Sequence, residues 1–241
     1  EEARRICEKY TAVRCDDELF TGIRAAKTGI YQDHLNHGRI ALQQNKLEDA
    51  DIALDNAIRY QSLNARDITD NSEALSLKKV VRQRYYDKKI AEAKSNTLTK
   101  NYEAALLNFD EAEQMLKDDD LIAPSDLKSS QQLAARPRVS ELFYEGNKYI
   151  DQADLINSGK KMQLAIQIQT KYDLTNDKEL NKLKEDLRKK ISTQECINAQ
   201  KEITSLFNSG MQKKSSNQLL EASDDFNKAL DLSRQFNNCA I

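Results

Sequence analysis

One spacing recurs four times along the chain and restricts what it can become. Counting from Gly38, large apolar residues fall nine and sixteen positions on, at Leu47 and Leu54, and small ones twelve and nineteen positions on, at Ala50 and Ala57. From Ala93 the same count gives Tyr102, Ala105, Phe109 and Ala112; from Gly146, Leu155, Ser158, Met162 and Ala165; from Gly210, Leu219, Ala222, Phe226 and Ala229. The four later positions of each set advance by three or four residues, so they share one face of a helix, while the first stands on another helix across a turn. Alternation of small and large is what an antiparallel helix pair requires. Two axes approach to about 8 Å only where side chains are short, and the large residues fill the grooves on either side. The connecting segments QQNKL, SNTLTKNY, DQADL and KKSSNQL each supply Asn, Asp, Ser or Thr able to cap the second helix.

Composition agrees with an all-α chain. Among 241 residues there are only 2 Pro and 6 Gly and no Trp, while good helix formers dominate and β-branched runs are nearly absent. The net charge of −2 comes from acids and bases interleaved along the chain, which lacks the basic footprint of nucleic-acid binding, so no nucleic acid is expected as a partner. No apolar run approaches the roughly 20 residues that cross a bilayer, and residues 1–20 lack the regions of a signal peptide. The opening EEARRICEKY is already helix-like, and we expect residues 1–241 to be a single helical-repeat domain excised from a longer protein.

The four-fold frame resembles the tetratricopeptide repeat, most closely in NKLEDADIALDNAI and KNYEAALLNFDEAEQML. The resemblance spans all four hairpins. It departs from the family in its aromatic three residues after the first small one, present only at Tyr149, and in lacking the family's late Pro. The origins at 38, 93, 146 and 210 lie 55, 53 and 64 residues apart, against the family's repeat of about 34. The resemblance implies hairpins stacked as a TPR-like α-solenoid, with units at about 15–62, 70–117, 126–172 and 178–237. The surplus in each unit predicts first helices elongated at their N-terminal ends. Pro137 predicts either two pieces or one bent helix over 126–151, and Ser192 and Thr193 are the candidate site of a kink in the last first helix. Loops are expected near 62–70, 117–125 and 173–177, where turn-formers and Asp118, Asp119 and Asp120 gather.

Motifs for chemistry are scarce: no Gly-rich phosphate loop, HExxH or CxxC occurs. His34 and His37, three apart on one helix, have no nearby Cys to complete a metal set and read as partly exposed helix histidines, so no metal, cofactor or catalytic residue is expected. The DDD run lacks the alternation and the following Glu of a calcium loop and reads as a solvated loop. Cys196 and Cys239 flank the mouth of the last hairpin, within disulfide reach if it is antiparallel. Cys7 and Cys15 can close only if the chain turns between them, because on a continuous helix they stand about 12 Å apart. Paired cysteines suggest an oxidising, extracytoplasmic setting such as the periplasm or cell surface; the alternative is four reduced thiols buried as small apolar residues in a cytoplasmic protein.

By the same resemblance, a partner's groove lies along the first helices, at positions three before and one after the first small residue. These are Leu35 and Arg39, Ile90 and Lys94, Phe143 and Asn147, and Phe207 and Met211. An apolar line beside polar groups suits a peptide or helix of a protein partner, anchored at Phe143 and Phe207. The apolar members can equally be buried against the added helical turns. The family's carboxylate clamp does not transfer, since longer units change the distance between successive first helices. Two functions follow, a non-enzymatic interaction scaffold in a multiprotein assembly or an architectural spacer without a groove of its own; a third, an enzyme built on this scaffold, is disfavoured by the missing motifs.

Overall fold

A computed structural model of the chain describes residues 2–9, 17–118 and 120–239. In order, the helices are α1 Glu2–Lys9, α2 Asp17–Gln43, α3 Leu47–Leu63, α4 Ser72–Leu98, α5 Tyr102–Asp118, α6 Leu127–Asp151, α7 Leu155–Lys171, α8 Lys178–Ser215 and α9 Leu219–Gln235. No strand occurs among the described residues. Helices α2 to α9 pack in adjacent pairs, each joining a long first helix to a second helix of 17 residues. The chain divides into two compact units, one of Glu1–Ser95 with Leu107–Ser125 and one of Asn96–Leu106 with Asp126–Ile241.

All four hairpins turn in the same way, which the sequence hides because no glycine marks the turn. Seven residues past each small origin stands a residue with left-handed backbone: Asn45 at φ 56°, Lys100 at 61°, Ala153 at 59° and Asn217 at 63°. The next amide donates to a carbonyl five residues back, Lys46 to Ala41, Asn101 to Asn96, Asp154 to Tyr149 and Gln218 to Lys213, at 2.8–2.9 Å. This six-to-one bond closes a Schellman turn and satisfies a carbonyl that the ending helix leaves free. One residue later the second helix begins, at Leu47, Tyr102, Leu155 and Leu219.

The small residues mark close approaches. A Cβ on Gly38 would stand 2.8 Å from Cγ and Cδ2 of Leu54, and one on Gly210 would stand 2.7 Å from the Phe226 ring. At Gly146 the approaching group belongs to α8 instead, with Leu187 Cδ2 2.7 Å from the added atom. Ala50, Ala57, Ala93, Ala105, Ala112, Ser158 and Ala165 are all fully buried.

The elongated first helices are continuous. α6 runs through Pro137 without a break, held on either side by the buried Ala134, Ala135 and Val139, and α8 runs through Ser192 and Thr193. Two of the three linkers between hairpins are held by a glutamine 23 residues past the origin. Gln61 donates to the Ile68 carbonyl at 3.0 Å, and Gln169 donates to the Leu174 carbonyl at 3.0 Å. Asn71 and Asn181 complete these two contacts. At the start of α8, the Asp177 carboxylate accepts from the amides of Glu179 and Leu180 and from Arg136 Nε at 2.7 Å. Burial opposes that charge, but Arg136 and the two amides outweigh it and leave the carboxyl below its ordinary range.

Candidate functional site: an uncovered helix-hairpin face

In the first unit, Leu35 and Ile90 are interior and Arg39 and Lys94 are half-buried. Leu35 belongs to the same core cluster as Ala74 and Val81 of α4. Arg39 donates to Asn36 at 2.6 Å and clasps the Glu73 carboxylate of α4 with two guanidinium nitrogens. In the second unit Phe143 is fully buried, and Asn147 donates to the Phe143 carbonyl while accepting from Lys190 of α8 at 2.8 Å. Glu73 and Lys190 each stand twenty residues before the small origin of their own hairpin. In both units, then, the N-terminal extension of one first helix lies along the preceding first helix, over the surface where a groove was expected. Leu35, Ile90 and Phe143 are core residues and do not line an open groove.

The last hairpin differs. Phe207 and Met211, at the positions equivalent to Leu35 and Arg39, are 52% and 48% exposed. Leu219 and Leu230 on α9 are 61% and 49% exposed, although their counterparts Leu47 and Ile58 are buried or partly buried. Leu219, Ser223, Phe226 and Leu230 advance by three or four residues and form one stripe of α9. Phe207 packs on Phe226 with the rings tilted at 54° and their centroids 5.7 Å apart, which joins the stripe to α8. Among the described residues, nothing covers this face.

The hairpin behind it is firmly held. Asp225, buried on α9, accepts from Lys213 at 2.7 Å and Ser209 at 2.6 Å, and these bonds hold its carboxyl below its ordinary range. A disulfide joins Cys196 to Cys239 with Cα atoms 5.5 Å apart, closing the mouth of the hairpin as its spacing suggested. The side chain of Cys7 and all of Cys15 lie outside the described residues.

One further concavity is rich in charges that pair with one another. An open hollow of about 430 Å³ beside α3 and α4 is lined by Asp55, Lys78, Lys79 and Asp120. There Lys78 bridges Asp51 and Asp55 at 2.7 and 2.6 Å, and Lys79 pairs with Asp120 at 2.9 Å. His37 Nδ1 is 2.8 Å from the Asp33 carbonyl, and the His34 ring rests against Tyr60. Among the described residues no cluster of three His, Cys, Asp or Glu side chains is arranged to hold a metal ion. Asp119 lies outside them.

Sequence reasoning chose Phe207 and Met211 but missed Leu219 and Leu230. Their signal in the sequence is the offset they share with Leu47 and Ile58, nine and twenty residues past the small origin. No helix among the described residues is long and apolar enough to cross a membrane. Comparison with protein-family models, with curated proteins and with solved structures finds no match to this chain.

Proposed function

We propose that the protein is a non-enzymatic architectural scaffold of tetratricopeptide-like hairpins, stacked as a solenoid, that joins a multiprotein, extracytoplasmic assembly through its uncovered α8–α9 face. One contrast carries this reading. At the same position of four similar hairpins, Leu35, Ile90 and Phe143 are buried while Phe207 is half exposed, so an apolar surface built to receive a helix stands open. The extensions occupying the first-helix surface within each unit favour a scaffold engaged at its end over one threaded by a peptide along its length. The Cys196–Cys239 disulfide supports an oxidising compartment. Groove binding of a protein segment is retained in narrower form, with Phe207 and Met211 as its remaining accessible anchors.

Crosslinking in native extract, with captured proteins identified by mass, tests the reading. Capture should fall for Phe207→Ala and Leu230→Glu, and unchanged capture by both would count against the face. Alkylation without reductant should leave Cys196 and Cys239 unmodified; labelling of both removes the argument for an oxidising compartment.

A further inference from the structure

The occupant of the α8–α9 face can be read from how the first unit packs α4 on α3. Along the N-terminal half of α4, Ala74, Lys78, Val81 and Tyr85 form one stripe facing α3. Ala74 and Val81 are fully buried in one cluster with Leu47 and Leu54, Tyr85 packs against that cluster, and Lys78 reaches Asp51 and Asp55. Superposing the small origins, Gly38 on Ala93, puts Leu19, Ile23, Ala26 and Ile30 of α2 at those four positions. In α2 this stripe is largely open among the described residues, with Ile23 half-buried and the other three exposed. Leu19 and Ile30 are 37% and 46% exposed, Ala26 is exposed, and Cβ atoms added to the neighbouring Gly22 and Gly29 would meet nothing within 4 Å. Among the described residues, α2 therefore shows an α4-like stripe without an α3 against it, and α9 shows an α3-like stripe without an α4 against it.

We infer that the α8–α9 face of one copy receives the N-terminal half of α2 from a second copy of the chain, in the register in which α4 lies on α3. The inference rests on the proposed role of that face and names its partner. The substitutions in the two stripes match each other. Where the first unit buries Val81 and Leu54 together, α2 and α9 offer a smaller Ala26 and a larger Phe226, so the loss on one side is offset in part on the other. Where Lys78 meets Asp51 and Asp55, α2 and α9 offer Ile23 with Ser223 and Asn227, so the charge is absent from both sides at once. A charge kept on one side alone would be buried unpaired and would forbid the contact. Leu19 comes to Leu230, and Ile30 to Leu219. Such a contact joins different surfaces of two copies, so it propagates from copy to copy unless its rotation closes a ring.

Sedimentation velocity of the purified chain over a wide concentration range tests this. The expected result is mass that rises with concentration, with Ile30→Glu and Leu230→Glu each raising the dissociation constant more than about tenfold. A mixture of the two variants retains one intact contact, so it forms dimers and nothing larger. Ile23→Lys should weaken association, and Ser223→Asp in the opposing copy should restore it as Asp51 accommodates Lys78. Should a variant lose its helical circular dichroism, a synthetic peptide of residues 17–34 added to the unaltered chain serves instead and should dissociate its oligomers. A chain that stays monomeric at every concentration, or dimers that Leu230→Glu abolishes and Ile30→Glu does not, would overturn the pairing. If the monomeric chain still captures another protein through Leu230, the open face stands and only self-association falls. If capture is also indifferent to Leu230, both readings fall.

Discussion

Two glycines nine residues apart on one helix allow the crossing-point argument to be measured. Gly29 and Gly38 both lie inside α2 with ordinary helical backbone, so Gly→Ala gives each the same intrinsic gain of about 1 kcal/mol. At Gly29 the new methyl meets nothing within 4 Å among the described residues, and the gain should stand. At Gly38 it falls 2.8 Å from Leu54 Cγ, the branch point of a side chain with no exposure, so the whole leucine must move. Overpacking of that kind costs about 1–3 kcal/mol. Gly38→Ala should therefore be neutral to about 2 kcal/mol destabilising, and the two variants should differ by about 1–3 kcal/mol. Urea unfolding followed by far-ultraviolet circular dichroism, at a concentration where the chain is monomeric, gives both values if the slope is unchanged. Adding Leu54→Ala should remove the Gly38→Ala penalty, giving a coupling energy of the same size. An equal rise in midpoint for both single variants would refute the reading of Gly38 as a helix crossing.

Ser158 occupies a slot that alanine fills in the other three hairpins, and its buried hydroxyl has no partner among the described residues; Ser158→Ala should raise stability by about 1 kcal/mol in the same assay. Replacing Cys196 and Cys239 by serine opens a link between residues 43 apart, which should lower stability by up to about 4 kcal/mol, with faster amide exchange confined to the α8–α9 hairpin. The Asp225 carboxyl titrates below its unfolded value because Lys213 and Ser209 hold it. Its contribution is thus present above the unfolded carboxyl pKa near 4 and is lost as pH falls through the lower folded value. Acid unfolding of the unaltered chain should steepen in that window, and Asp225→Asn should flatten it.

The hairpins were legible because a crossing of two helices restricts side-chain size locally, and the three-and-four spacing survives in the sequence. Gly38 with Leu54, and Gly210 with Phe226, are contacts between residues sixteen apart, close enough for the pattern to carry both partners. The expected groove is closed at Leu35 and Phe143, which are equivalent in sequence to Phe207, because their burial is set by α4 and α8, elements far along the chain. The exchange of Met162 for Leu187 against Gly146 has the same origin. The shared turn escaped notice for a different reason. Left-handed backbone at Lys100 and Ala153 has no compositional mark, since the Schellman bond and the packed helices hold a conformation that these residues disfavour by about 1 kcal/mol or more. Continuity through Pro137 was undecidable for lack of any local sign that buried alanines and Val139 would hold both sides.

The disulfide also determines how tension enters the last hairpin. Pulling at residue 239 transmits force through Cys196 into the middle of α8, so α9 lies on a slack branch outside the loaded path. While the sulfur link lasts, the hairpin cannot be peeled open from that end, and load passes along the axis of the longest helix instead.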